Sequence, residues 1–328
     1  MTRLNVTRRQ LAKSLSMDGG GAEVTLQQTI ANEIVPLIRE QNFLRGIAER
    51  SGQAINMSKP NLRIPKMNKA RGAYLVQPGK PAPEMQIRMD GFDLVPQKIM
   101  TWFPVQQEVF EDSTITDMEG QIKKEMAAEF AEAEEMGFFF GDRSGTFDPG
   151  DARNGFNGLF KQASAANAYV YDPGLDATGP DTNSPVFSNI VRALARLGKY
   201  GRNKRKIVIA IGAQMESALI RSKNFQQLST YAYGGGAGVF TGEIGRIAGA
   251  TVITSTYLDA QPGQTNSRCL IFEESCYTIG DWQSFDIKIN DTILMQTDEV
   301  AIRARERVAF AVRYPEAMVE ILNMPALA

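Results

Sequence analysis

Histidine is absent from all 328 residues of the chain. Ser/His and Cys/His catalysis, the commonest zinc ligand and the usual neutral-pH switch are excluded together. Cysteine occurs only twice, at Cys269 and Cys276, which is too few for a disulfide framework. Seven residues apart on one extended strand, the two would point to opposite faces, and they read as reduced packing residues. Neither sign of charge is in excess: 36 basic side chains against 37 acidic ones leave a net charge of −1. The strongly basic signature of a dedicated nucleic-acid binder is therefore missing, and any such contact must be local. Long hydrophobic runs are missing too. Ile207 to Ile211 is far too short to cross a bilayer, and the amino terminus lacks the continuous apolar stretch of a signal peptide. The expectation is a soluble protein made in a cytoplasm, with no membrane partner.

Chemical motifs are equally scarce. The cluster Gly234-Gly235-Gly236-Ala237-Gly238 is followed by no G-x-x-x-x-G-K-[ST] pattern, so it reads as a loop, not a phosphate cradle. Neither a G-x-S-x-G elbow nor an S-x-x-K pair occurs. Asp148, Asp151 and Asn154 fail the spacing of a calcium loop and read as turn formers. The adjacent acids Glu111-Asp112, Glu134-Glu135 and Glu273-Glu274 read as solvated faces, because sequence neighbours seldom converge on one substrate. No catalytic, cofactor-binding or metal-binding residue emerges, and no cofactor is expected.

The chain does hold material for a core. With 43% apolar and 22% charged residues, it is a globular protein, read as two subdomains. Residues 1–25 form a polar basic arm in which Arg3, Arg8, Arg9 and Lys13 meet no acid before Asp18. From Thr25 the spacing of Leu26, Ile30, Ile34 and Leu37 predicts a helix, kinked or ended near Pro36, after which the text becomes extended. Residues 59–98 read as a long two-stranded excursion, stiffened near its tip by Pro78, Pro81 and Pro83. Its charged side chains Arg63, Lys66, Lys69, Arg71, Lys80 and Glu84 are candidates for contact with a neighbouring subunit, since an isolated hairpin is marginal in water.

Residues 99–110 read as a strand. Thr116 and Glu119 form a capping box ahead of a helix predicted over 117–139, with Met118, Ile122, Met126, Phe130 and Ala133 as its stripe. Ser184-Pro185 starts a further helix, 206–212 reads as a buried strand, 213–223 as a helix and 250–255 as another strand, a βαβ-like alternation. From Arg268 onward the text is mostly strand: 268–274, 276–280, 284–289, 300–312 and 318–322. Lys199, Arg202, Lys204, Arg205 and Lys206 place five cations in eight residues, suited either to phosphate backbone or to a solvated helix end. The basic arm leaves the same choice between nucleic acid and an acidic neighbour.

In this order, the pieces resemble the major capsid protein of tailed bacteriophages, the Hong Kong phage-type capsid fold that encapsulins share. The local likeness is strongest in Glu111-Asp112-Ser113 ahead of the long helix, then Gly141 and Gly158-Leu159. Gly245 to Ser255, the expected turn at Gly280-Asp281-Trp282, and Arg303, Arg305, Arg307 with Tyr314-Pro315-Glu316-Ala317-Met318 resemble later family passages. Met318 stands where relatives often carry an aromatic residue.

The resemblance implies an α+β fold with an arm and leading helix over 1–58 and an extended β-hairpin loop over 59–98. A peripheral domain with a long spine helix spans 99–185 and 300–328, and an α/β axial domain spans 186–299. It implies hexamers and pentamers closing an icosahedral shell around double-stranded DNA, assembled in a bacterial cytoplasm, with non-specific DNA contact. A separate scaffolding protein, a portal and a decoration protein are the implied partners. Some relatives crosslink a loop lysine to an asparagine; nothing aligns Lys66, Lys69 or Lys80 with Asn290, and no crosslink is expected. Two rival readings stand beside this one: an encapsulin-like cargo compartment, and an α/β enzyme with its site at the Gly234 loop and the ends of strands 207–211 and 250–254.

Overall fold

Asn42 opens the first helix of the computed structural model, which describes residues 42–67, 75–81, 89–107, 118–163, 167–175, 185–220, 243–259, 266–294 and 296–325. The helix predicted from Thr25, the Thr116 cap and the Gly234 loop lie outside these residues. Helix α1 (Phe43–Ser51) stands where the sequence reads as extended. The Asn42 side chain accepts the Arg45 backbone N–H at 3.0 Å, and Gly52 closes the helix in the left-handed conformation at φ 70°. Leu44, Ile47 and Ala48 supply one buried face over two turns. The signal was present but short, and the expectation of extended chain is corrected.

Strand β1 (Ala54–Asn56) follows, then the hairpin of β2 (Leu62–Met67) and β3 (Met89–Leu94), paired antiparallel from Leu62 with Leu94 to Met67 with Met89. The two-stranded excursion is thus observed, its second strand covering 89–94; of the expected 85–89, residues 85–88 lie outside the described residues. Strand β4 (Gln97–Gln106) alternates between half-buried and exposed side chains along its whole length. Helix α2 (Met118–Phe140) has 23 residues, about 35 Å at 1.5 Å per residue, matching the predicted helix within one residue at each end. Short helix α3 (Leu159–Gln162) and strand β5 (Tyr169–Val170) lead to α4 (Pro185–Arg196), β6 (Ile207–Ile211) and α5 (Ala213–Ile220). The chain continues through β7 (Glu243–Ile247), β8 (Ala250–Thr254), β9 (Asn266–Glu273), β10 (Tyr277–Leu294), β11 (Glu299–Val312) and β12 (Met318–Pro325).

Two sequence readings of β10 are corrected. The separate strands 276–280 and 284–289 are one continuous strand, and Gly280-Asp281-Trp282 lies inside it, not at a turn. Gly280 is small because a Cβ there would come within 2.7 Å of the Met57 sulfur. Cys269 and Cys276 are free and buried as expected, but they do not share a strand: β9 ends at Glu273 and Cys276 sits in the turn beyond it.

The contacts of the chain divide the described residues into two units. One holds 100–107, 118–129 and 287–304; the other holds 42–99, 130–286 and 305–325. In the first, the Gln107 N–H donates to the Asp298 carbonyl at 3.1 Å, and Asp298 turns the chain from β10 into β11 at φ 51°. Trp102, 56% exposed, lies on the outer face of β4.

In the second unit a six-stranded sheet runs in the order β5-β12-β9-β6-β8-β7. β6 pairs parallel with β8 and antiparallel with β9, as the βαβ-like pattern requires for its central pair. Every residue of β6 is buried, which explains the unbroken apolar run Ile-Val-Ile-Ala-Ile. Alternate side chains serve two cores. Val208, Ala210, Leu270 and Phe272 join α1, Phe138 and Phe310 on one side, while Ile207, Ile209, Ile211, Cys269 and Ile271 join α4 on the other.

The end of α2 is fixed by close backbone approach. The Gly158 N–H donates to the Gly141 carbonyl at 2.8 Å, and a Cβ on Gly158 would meet the Phe139 oxygen at 2.5 Å. Only glycine lets the returning chain lie this close.

Candidate functional site

Shell-forming surfaces, not a catalytic cleft, are what the sequence predicts, and the described residues divide those candidates by environment. On the hairpin, Arg63 faces Asp93 across the ladder at 3.8 Å, both largely exposed. Lys80 sits at the turn whose N–H donates to the Gln77 carbonyl at 3.1 Å. Met67 and Met89, paired at the far end of the ladder, are 65% and 73% exposed. Lys66 instead turns back onto its own chain: its ammonium donates to the Arg313 carbonyl at 2.8 Å and lies 4.5 Å from the Tyr314 ring centroid. It ties the hairpin back to its own chain one step from that far end. Lys69, Arg71 and Glu84, and the arm residues Arg3, Arg8, Arg9 and Lys13, lie outside the described residues.

The basic cluster forms on two consecutive 3-10 turns, Gly198–Arg202 and Lys204–Lys206, between α4 and β6. Lys199, Arg202, Arg205 and Lys206 are exposed and Lys204 half-buried. Tight turns spread these cations outward and give the chain a local positive patch despite its neutral total.

The place where an α/β enzyme binds an anion is filled by the protein itself. At the end of β6, the Asp259 carboxylate accepts the backbone N–H groups of Ala213 at 3.1 Å and Gln214 at 2.9 Å, the open N-terminus of α5. Gly212 is required there, since a Cβ would fall 2.2 Å from an Asp259 oxygen. A cavity of about 580 Å³ nearby is lined by Phe140, Phe160, Arg153, Lys161 and Arg268. Its polar groups are already engaged. Lys161 pairs with Asp142 at 2.9 Å, Arg153 with Asp151 at 2.6 Å, and the Arg268 guanidinium lies 5.1 Å from the Phe160 ring centroid. Hydrogen bonds from Ser144 and Lys161 hold the Asp142 carboxyl down at about 2. Asp151 and Asn154 act as the turn formers expected of them, Asp151 capping Arg153 N–H at 2.8 Å and Asn154 donating to the Asp148 carbonyl at 2.9 Å.

The acid pairs behave otherwise than the sequence reading has it. Glu134 is 3% exposed, and its neighbour Glu135 and distant Glu274 are buried as well, so the solvated-face reading is corrected for both pairs. Glu274 is held by Arg50. Glu134 is held by Arg45, whose Nε donates at 2.8 Å while Nη2 bonds its other oxygen, and by the Asn42 amide at 2.9 Å. The same guanidinium reaches both oxygens of Asp281 at 3.1 Å. Burial works against the Arg45 charge, but its bonds to Glu134 and Asp281 outweigh that and raise it above its usual range. Glu306 of β11 completes the group, and burial together with the Glu134 charge pushes its carboxyl up to about 8. Sequence reading missed this cluster. The available signal was Glu134 spaced four residues from both Phe130 and Phe138, which puts a carboxylate on the buried stripe of α2.

Among the described residues no group of acidic or cysteine side chains has the arrangement of a metal site, and no helix is long and apolar enough to cross a membrane. No curated protein matches the sequence. Solved structures do match in fold. The capsid of an empty GTA particle has a TM-score of 0.63 at 16% identity, covering 89% of this chain and 92% of that one. A structure from Microbacterium phage Oxtober96 scores 0.63 at 17% identity over 97% and 99% of the two chains. The capsid of Cyanophage P-SCSP1u scores 0.61 at 12% identity over 97% and 98%. The fold is therefore the Hong Kong phage-type capsid fold that the order of elements implied. The sequence model of the phage capsid family matches residues 22–321, nearly the whole length, and the chain belongs to that family.

Proposed function

We propose that this protein is the major capsid protein of a virion, assembling as hexamers and pentamers into an icosahedral shell around double-stranded DNA. The observation that carries this reading is the phage capsid family match across residues 22–321. The molecule is a structural subunit. Its exposed hairpin agrees with that role, because a two-stranded ribbon with methionines open to water at its far end gains stability by lying on a neighbour. In this reading Arg63 and Lys80, with Lys69, Arg71 and Glu84, face the next subunit, whereas Lys66 holds the hairpin to its own body.

The cations at Lys199, Arg202, Lys204, Arg205 and Lys206, and those of the arm at Arg3, Arg8, Arg9 and Lys13, serve non-specific contact with DNA or an acidic neighbour, in a salt-dependent way. A scaffolding protein, a portal and a decoration protein act with the shell, which assembles in the host cytoplasm. The arm and leading helix, extended loop, peripheral domain and axial domain take the boundaries 1–58, 59–98, 99–185 with 300–328, and 186–299.

Electron microscopy of the purified protein, alone and with a candidate scaffold, tests this together with mass by light scattering. Uniform shells, or hexamers and pentamers that close on adding scaffold, are expected. A monomer or dimer under every condition would overturn the reading, and shells that package protein but no nucleic acid would point to a cargo compartment. Replacing residues 71–83 by a short Gly-Ser linker, or deleting the arm before Thr25, should leave folded capsomers that form no regular shell.

A further inference from the structure

One stretch of the chain carries many cations and no acid. Residues 182–215 contain neither aspartate nor glutamate, while Arg192, Arg196, Lys199, Arg202, Lys204, Arg205 and Lys206 put seven cations into fifteen positions. Lys204 is half-buried and the other six are exposed. Arg192 and Arg196 stand one turn apart on the exposed face of α4, and the remaining five follow on the two 3-10 turns behind it. None of the seven has a carboxylate partner among the described residues, whereas Arg50, Arg63, Arg153, Lys161 and Arg305 each pair with one. The contacts these cations do make are with neutral groups. Arg196 donates to the Ala168 carbonyl and lies 5.2 Å from the Tyr169 ring centroid, and the Lys199 ammonium lies 4.7 Å from that of Tyr200.

We propose that this patch, widened from five cations to seven by Arg192 and Arg196, binds the phosphate backbone of double-stranded DNA and not an acidic protein neighbour; this rests on the capsid reading, which makes such DNA the polyanion the subunit meets. A chain of net charge −1 has no overall attraction for DNA, so contact depends on a place where positive charge is concentrated and unopposed. Each cation set against a phosphate releases a counterion, and this patch supplies several side by side. Phosphates carry no sequence information, so the contact is indifferent to base sequence. The same side chains suit a protein partner poorly. Centres of protein–protein interfaces are depleted of lysine and built around aromatic and apolar anchors. Here the one large hydrophobic side chain exposed within 185–206 is Val191, at 39%. Tyr200 is taken by its own chain, packed on Tyr314 at 5.9 Å between ring centroids with its hydroxyl on Glu316 at 3.3 Å. Protein–DNA surfaces are of the opposite kind, more polar and far more positive.

Structural uses within the chain do not account for these charges. The C-terminal end of α4 attracts cations, but Arg196 is the basic residue in its last turn; Arg192 precedes that turn, and Lys204, Arg205 and Lys206 belong to a later one. The acids on neighbouring elements have other partners. Glu273, which faces Ile207 across the ladder, accepts from Ser275. Glu274, whose N–H donates to the Lys206 carbonyl, holds Arg50 with its carboxylate, and Glu316 accepts the Tyr200 hydroxyl.

Fluorescence anisotropy of a labelled DNA duplex of arbitrary sequence, titrated with the purified full-length protein between about 50 and about 200 mM salt, tests this. Replacing Arg192, Lys199, Arg202, Arg205 and Lys206 together by Gln should weaken binding more than tenfold. It should also flatten the slope of log affinity against log salt by at least about 2, each lost phosphate contact being worth about 0.9. A second variant neutralises five exposed cations elsewhere, Lys59, Lys98, Lys124, Arg143 and Lys288, and so matches the first in total charge. It should keep the wild-type slope. An equal loss in both variants would show that only bulk charge matters and overturn the proposal, as would a wild type that does not bind. A first variant that binds DNA like wild type but no longer assembles would assign the patch to an acidic neighbour instead. If circular dichroism shows that the first variant is unfolded, Arg202→Gln with Arg205→Gln and Lys206→Gln, whose side chains make no packed contact that folding needs, should still flatten the slope by about 1 or more. Shells without patch-dependent binding would sink this inference and leave the capsid reading standing, and patch-dependent binding without shells would do the reverse.

Discussion

The α1 cluster and the β2–β3 hairpin carry the same kinds of side chain in opposite surroundings. Arg45 and Glu134 meet in a site where the carboxylate is 3% exposed, whereas Arg63 and Asp93 stand 3.8 Å apart with most of both side chains in water. In the first place desolvation makes every missing partner costly, so each group is bonded more than once and the pair fixes where α1 sits. In the second, water and salt screen the pair, and the side chains stay available to something outside the chain. Charge inside this protein specifies its own geometry, whereas the Arg63–Asp93 pair on the hairpin stays open to water.

The sharpest way to break this contrast is to remove one member of the buried set. Arg45→Met leaves Glu134 buried without its cation and should cost about 3–5 kcal/mol, read as a lowered urea midpoint of the unassembled protein. A midpoint unchanged from wild type would show that water reaches Glu134 freely. Gly158→Ala tests steric instead of electrostatic exactness where α2 ends: the new methyl meets backbone atoms of Phe139 and Gly141, which cannot swing aside, for about 1–3 kcal/mol. Asn42→Ala removes both the cap on α1 and an amide bond to Glu134, and should lower stability by about 1 kcal/mol. Hydrogen exchange would place that loss in 43–51 first. The smallest effect belongs to the hairpin. A double-mutant cycle on Arg63→Ala and Asp93→Ala should return a coupling below about 0.5 kcal/mol, and any change those substitutions cause in shell yield would then arise between subunits.

Long elements were legible from the residues. The stripe Ile122, Met126 and Phe130 marks α2, the run Ile207 to Ile211 marks a strand buried on both faces, and Pro185 starts α4 as a proline at the first helical position should. Short elements were not. Helix α1 shows only two turns of periodicity, and its caps at Asn42 and Gly52 are ordinary turn residues in other contexts. β10 reads as two strands because Gly280 interrupts its pattern, and the reason for that glycine is Met57, more than two hundred positions earlier. The acid pairs misled for a related reason: Glu134 is held by Arg45, 89 residues before it, and Arg45 also bonds Asp281, 236 residues further on, separations that no local window contains.

By itself the sequence determined what this protein is made to be: a chain without histidine chemistry, nearly neutral, with a long helix, a doubly buried strand and an outsized hairpin in the order of a capsid subunit. Composition and periodicity are local properties, and local propensity reports them faithfully. Tertiary structure alone decided which charges are interior, that Lys66 bonds back onto its own chain while Arg63 stays largely exposed, and that Asp259 caps the N-terminal N–H groups of α5. Those outcomes depend on the dielectric and the partners that folding brings together from distant positions, and neither is written at any one residue.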